Sequence, residues 1–377
     1  MEPQPAKNSL LQLLADFGNL LQARLFPVLR QELGELTGQH KRMVEILALL
    51  QMDQFVAARK GRGRPAHSRA NMLRAFVAKA VFNIPHTRAL LERLQSDGVL
   101  RQLCGWEQAG SVPDETVFSR AFTEFAAGQV PQHVHETLIR RSYSAHLVGH
   151  ISRDASAVVA REKPAAKPKA RPRRASRRKD RKPEEMTRLE RQCLPQTTLQ
   201  QMLEELPRAC DKGAKKDSKG LPQYWIGYKL HMDVADGQVP ISCLLTSASL
   251  HDSQAAIPLA QLTAARVTNL YDLMDCGYDS QHIRQYSERL GHVAIIDSLR
   301  RGQQPKPQLP PHQQARFRER SAAERVWARL KDEFGGRFLR VRGDRKVLAH
   351  LMFGVLALTV DQLLRLVPCG RAGPAPA

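Results

Sequence analysis

Near residue 146 the spacing of apolar side chains changes, and that change limits the possible folds more than any single motif does. Over residues 8–143 apolar positions recur at helical intervals, in amphipathic runs such as HKRMVEILALLQMDQFVAARK and SRANMLRAFVAKAVFNIP separated by glycine and proline. An all-helical region over residues 1–145 is predicted. Residues 147–153 then read as a buried strand. Further on, QYWIGYKLHMDVADGQVPISCLLTSAS sets two β-rich runs either side of a turn at 235–237, which predicts a hairpin. A helix follows in DSQAAIPLAQLTAARV, a third strand in NLYDLMDCGYDS, another helix, and a short strand in VAIIDS. A loop over residues 300–316, a charged helix, a basic segment RFLRVRGDRK and an apolar closing helix complete the chain. Strands alternating with helices after a hairpin predict an α/β second domain over 146–368, a mixed sheet flanked by helices, with a tail at 369–377.

Between the first strand and the hairpin lies REKPAAKPKARPRRASRRKDRK, residues 161–182, with 12 basic and 2 acidic side chains. Such a stretch has only alanine and proline as apolar side chains, too little to offset the entropy of ordering it, so an insertion over 161–220 is expected to be largely disordered, apart from a short helix at 199–206. The whole chain carries 58 Lys and Arg against 37 Asp and Glu, a net charge of +21. That excess is more than solubility requires and favours a polyanion, most simply nucleic acid, as partner. A merely basic, ribosome-like protein would show the same balance.

Six cysteines are scattered without a C-x-x-C pair, which argues against a zinc knuckle or a disulfide framework and for reduced thiols in the cytoplasm. The amino terminus has no basic segment leading into an apolar one, so no secretory signal is expected. The apolar run LMFGVLALTV is about half the length of a membrane span, and a buried core helix explains it better.

Three carboxylates stand where an acid-lined metal site would want them. Asp154 follows the first strand, Asp275 closes the third beside Gly277, and Glu324 lies in the charged helix. Strand ends at one sheet edge bring residues distant in sequence together. In a basic protein, a carboxylate cluster suits phosphodiester chemistry with two divalent cations about 3.5–4 Å apart, and hard oxygen ligands select magnesium, with manganese as substitute. Asp272 and Asp279 are rivals to Asp275, but residues three apart on a strand face opposite sides, which favours Asp275 at the strand break. His251 and Asp252 read as a loop followed by a helix cap, with Asp252 or Ser253 capping. On the charged helix Arg320, Glu324, Trp327 and Lys331 fall within a stripe about 60° wide at ~100° per residue. Taken alone, Arg320 and Glu324 describe an ordinary i,i+4 ion pair equally well.

FRERSAAERVWARLK resembles the pattern Y-x2-R-x3-E-x6-K of bacterial insertion-sequence DDE transposases, matching at Arg320, Glu324 and Lys331 and departing at Phe317, where the family has tyrosine. SRDASA and DCGYDS are similar to the two aspartate blocks of that family. GYKLHMDVADG resembles its hairpin, SASLHDSQAAIPL the helix that follows, SVPDETVFSRAF its helical amino-terminal region, and LMFGVLALTVDQLLRL its closing helix. The resemblance implies a ribonuclease-H-like catalytic core behind a helical DNA-binding and assembly domain. It implies two magnesium ions held by Asp154, Asp275 and Glu324, cleavage at transposon ends, and transfer of the freed 3′-hydroxyl into target DNA without a covalent protein–DNA intermediate. Double-stranded DNA, both terminal inverted repeats and target, would be the partner of a homodimer or larger assembly, with no membrane involved. Arg320, Lys331 and the exposed Arg120 become candidate phosphate contacts, and Trp327 a candidate for stacking on a base. A ribonuclease-H-like nuclease that cuts without joining, or an inactive DNA-binding relative acting as repressor, are the alternatives.

Overall fold

A computed structural model describes residues 10–56, 66–143, 146–166, 186–216, 220–298 and 307–366. The described residues form two compact units. The first comprises the residues up to 143 together with Ala328–Leu339 and those from Ala349 onward; the second comprises those from 146 to Trp327 together with Arg340–Leu348. The division expected near residue 145 follows the chain, whereas these units do not, since the end of the chain belongs with its beginning.

The first unit is helical, as its apolar periodicity predicts. Its helices are α1 (Leu10–Leu20), α2 (Phe26–Leu33), α3 (Gly38–Leu50), α4 (Arg69–Val81), α5 (Thr87–Ser96), α6 (Gly98–Leu103), α7 (Glu115–Ala127) and α8 (Val130–Tyr143). Phe76 on α4 is the hub of its core, with ring centroids 5.0–6.2 Å from Phe118, Phe122, Phe125 and Phe353. The start signal before α7 acts as predicted: Asp114 accepts hydrogen bonds from the backbone N–H groups of Thr116 and Val117.

The second unit is built on a six-stranded mixed sheet of β1 (Leu147–Val159), β2 (Asp211–Lys216), β3 (Pro222–Ala235), β4 (Val239–Ser247), β5 (Thr268–Met274) and β6 (Val293–Ile296). β1 runs antiparallel to β3 and parallel to β5, β5 parallel to β6, and β3 pairs antiparallel with both β2 and β4. The predicted hairpin is β3–β4, with Gly237 at φ +71° in its turn. Asp236 in that turn accepts the backbone N–H groups of Gly149 and His150, at 2.6 and 3.0 Å, and so ties the turn to the start of β1. Gly227 sits where β3 exchanges β2 for β4 as neighbour; at φ +152°, a Cβ there would lie 2.0 Å from the Val158 carbonyl oxygen.

The helices that follow β1 are α9 (Arg188–Gln192), α10 (Leu199–Glu204), α11 (Ser253–Ala264), α12 (Gln281–Arg289), α13 (Pro311–Phe317), α14 (Ser321–Asp332) and α15 (Asp344–Leu366). Three expectations need correcting here. β1 does not end near Asp154 but continues to Val159, because β3 pairs with it along that whole length. The short helix expected at 199–206 is present as α10, but the second half of the 161–220 insertion is ordered beyond it, as α9 and β2, while residues 167–185, which hold most of its net charge, and the 369–377 tail lie outside the described residues. The end of the predicted 300–316 loop is α13. The closing helix α15 has the length and apolarity of a membrane span, yet 83% of its apolar window is buried inside the protein, which fits the core helix predicted for it.

Candidate metal and DNA site

The register of the two parallel strands places the first two carboxylates. Arg153 and Met274 are the last paired residues of β1 and β5. Asp154 is the next residue of β1, and Asp275 is the residue that follows the end of β5, so the two acids leave adjacent positions of strands that run about 4.8 Å apart. The preceding pair points the other way. Arg153 is 1% exposed and meets Asp233 through two hydrogen bonds of 2.8 Å, with Met274 Sδ at 3.5 Å and Thr263 Oγ1 donating to Asp233 at 2.7 Å. The alternation of the strand thus divides a buried ion pair from an acidic pair one residue later.

Beyond Met274 the backbone turns sharply. Asp275 caps this turn, its Oδ1 accepting the Gly277 N–H at 2.9 Å. The rival acids are engaged elsewhere. Asp272 is 1% exposed and bonded to Asn269 and His292, and Asp279 accepts from Arg284. Asp252 occupies the cap position of α11 but makes no capping bond; its carboxylate accepts from Lys229 Nζ at 2.8 Å, which corrects the capping role expected of it.

Burial pushes the Asp154 carboxyl up to about 6, against a hydrogen bond from the Ala155 backbone. The neighbouring Asp275 pushes it further in the same direction, while the charges of Arg320 and Lys215 draw it back. Lys215 on β2 was not anticipated, because DKGAKK lies within the stretch expected to be disordered and contains no strong strand former.

The third carboxylate comes from α14, a helix with Ala322, Ala323, Val326, Trp327 and Leu330 on its buried side. Trp327 is 6% exposed, and its Nε1–H donates to Asp154 Oδ2 at 3.1 Å. This corrects the expectation that it stacks on a base: a ring so enclosed has no free face, and its polar edge holds a site carboxylate. Trp327→Phe should lower stability by ~1.5–3 kcal/mol, the worth of a hydrogen bond to a charged acceptor, as measured by denaturant titration. An unchanged midpoint would mean that this bond carries no energy.

Glu324 stands one turn before Trp327, its side chain 60% exposed, and accepts from Arg320 Nη2 at 2.9 Å. The i,i+4 ion pair is therefore present. Arg320 also lies over the Phe317 ring, 5.8 Å from its centroid, so the aromatic residue that replaces the family tyrosine packs against the signature arginine. Lys331, further along α14, is half-buried, and Arg120 is exposed on α7; both belong to the helical unit.

Among the described residues no three acidic, histidine or cysteine side chains are gathered closely enough to hold a metal ion as they stand. Asp154 and Asp275 fit a divalent cation: both are hard oxygen donors, and the charged form of Asp154 is disfavoured by burial and by the charge of Asp275, a penalty that a bound cation would relieve. Glu324 could join them on leaving Arg320.

A mixed sheet of this order, with acids past the last paired residues of adjacent parallel strands and a third acid on a following helix, defines a ribonuclease-H-like protein. A model of the family described as Transposase domain (DUF772) matches residues 31–124, and one described as Transposase DDE domain matches residues 194–360. Together they take in most of the chain, which belongs to the insertion-sequence DDE transposases. Asp275 and Glu324 lie inside the DDE match; Asp154 lies ahead of it. A search of curated proteins and of solved structures finds no match.

Proposed function

We propose that this transposase cuts DNA at transposon ends and joins the freed 3′-hydroxyl to target DNA, with Asp154, Asp275 and Glu324 holding two magnesium ions. The observation that carries the reading is that Asp154 and Asp275 directly follow the last β1–β5 pair, Arg153 and Met274, with the charged form of Asp154 disfavoured by burial and by Asp275, a disadvantage that a cation would remove. The cations would supply Lewis acidity at the phosphate oxygens, which suits in-line attack at phosphorus. Trp327 fixes Asp154 Oδ2 and leaves the other carboxylate oxygen for coordination. The Asp275 carboxylate is held at the strand end by the Gly277 N–H. Arg320 pairs with Glu324; a scissile phosphate would compete for the same guanidinium, because phosphate and carboxylate both suit its fork of donors. Lys331 and Arg120 would neutralise more distant phosphates. The attacking groups are water and then a DNA hydroxyl, so no covalent protein–DNA species should accumulate.

The test uses two substrates with magnesium: a duplex containing an element end with its flank, and the same end already cut to a free 3′-hydroxyl. The expected result is nicking of the first and joined product from the second, both lost in Asp275→Ala and Glu324→Ala while DNA binding persists. Nicking without joining would reduce the activity to that of a nuclease. Binding alone, in magnesium and in manganese, would leave a repressor.

A further inference from the structure

β1 and β4 pair with β3 only from Gly227 onward, so residues 222–226 and β2 extend past the other strands as a two-stranded ribbon at the edge of the sheet. The two aromatic residues of this ribbon are used differently. Trp225 is half-buried against Gly213, where a Cβ would lie 2.5 Å from the indole, and its Nε1–H donates to the Tyr228 carbonyl at 3.1 Å. Tyr224 belongs to the other face. It stands opposite Ala214, is 62% exposed beside Ile226 at 41%, and has Lys212 Nζ 4.6 Å from its ring centroid. Lysine on an edge strand guards against pairing with another sheet, but an exposed aromatic and an exposed isoleucine work against that purpose. A bound partner would account for them.

The surrounding charge selects the partner. The segment after β1 runs beside the ribbon, with the Ala160 N–H bonded to the Ile226 carbonyl at 2.9 Å and the Ala165 N–H to the Cys210 carbonyl at 2.8 Å. Among the described residues of this segment and the ribbon, every exposed charged side chain is a cation: Arg161, Lys163, Lys212 and Lys215. The acids are less exposed, since Asp211 is half-buried and Glu162 accepts from the Tyr228 hydroxyl and the Gly343 N–H. From Ala166 the sequence continues into residues 167–182, with 10 basic side chains and 1 acidic.

We infer that the β2–β3 ribbon holds an unpaired DNA strand, with the Tyr224 ring stacked on a base and Lys212 beside it on a phosphate. The inference rests on DNA as the substrate and not on the metal-site reading. An exposed ring offers any base a flat face, whereas the bases of a duplex are already stacked on one another, so ring and cations together suit a single strand.

The test is the fluorescence anisotropy of a labelled oligothymidine, and of a duplex of the same length, titrated with full-length protein in EDTA. The substitution is Tyr224→Thr, a strand former without a ring. The expected result is oligothymidine affinity at least about fivefold weaker than in the parent, the loss of one stacked base, with duplex affinity unchanged. Tyr224→Phe, which keeps the ring, should bind both as the parent does. Lys212→Gln should lower the slope of log affinity against log salt for oligothymidine by about 0.7, the share of one phosphate contact. Undiminished oligothymidine binding by Tyr224→Thr would overturn the inference, and so would an equal loss on the duplex, because the ring would then touch no unpaired base. Loss of a parental dimer in Tyr224→Thr, with oligothymidine affinity intact, would overturn it in favour of a protein interface. A parent that binds neither oligonucleotide would remove the DNA reading and the inference together.

Discussion

Asp154→Asn should give a protein that melts above the parent at pH 8 and cuts no DNA. The carboxyl of Asp154 is raised to about 6, chiefly by burial and, on the same side, by Asp275. The corresponding group in an unfolded chain titrates near 3.9. Between those two values the folded chain binds the extra proton, so stability is lost as pH rises through the window and stays lost above it. About two pKa units correspond to ~3 kcal/mol at most. Asparagine carries no charge, and its amide oxygen can still accept the Trp327 N–H, so most of that penalty should disappear. For a domain of this size the gain is roughly 5 °C or more in melting temperature. It should shrink toward nothing as the pH is lowered below about 4, where the parent is protonated as well. Manganese should raise the melting temperature of the parent and not of the variant. A variant that melts no higher at pH 8, or that still nicks an end-containing duplex, would contradict this account of the residue.

Asp233→Ala should have the opposite character, a large loss of stability with no direct removal of a site acid. Burial works against the charge of Arg153, and Asp233 more than restores it through two parallel hydrogen bonds. Removing the carboxylate leaves a guanidinium enclosed at 1% exposure and Thr263 without its acceptor. Breaking a buried pair on one side costs ~3–5 kcal/mol, whereas replacing both members with apolar groups of similar volume is often neutral. The double variant Arg153→Met with Asp233→Leu should therefore recover most of the stability that Asp233→Ala loses, as read from denaturant midpoints. If the double variant is no more stable than the single one, the pair does more than balance its own charges.

The hairpin and the third strand were legible because each rests on local pattern: alternation, a turn at Gly237, a strand that ends just before Gly277. The extent of β1 was not. DASAVV lacks the bulk of a typical strand, and it is extended because the complementary edge of β3 is there to pair with it. β2 is a stronger case, since Asp211–Lys216 would read as loop in isolation and becomes a strand only against Pro222–Gly227. At the site, the Arg320–Glu324 pair could be read from a four-residue spacing and is present. The bond from Trp327 to Asp154 joins residues 173 apart in the chain, and no periodicity announces such a contact.

A strand has only two sides, and β1 uses both within a single dipeptide. Arg153 turns into the interior toward Asp233, and Asp154 turns to the opposite face, where the charge of Asp275 acts on it. Losing or gaining one residue between Val148 and Arg153 would exchange them, driving a carboxylate against Asp233 and a guanidinium into the acidic pair. A gene for this protein should therefore accept many point changes along β1 while rejecting nearly every one-codon insertion or deletion, and a library of such length variants should be depleted over this short segment more severely than anywhere else on the sheet.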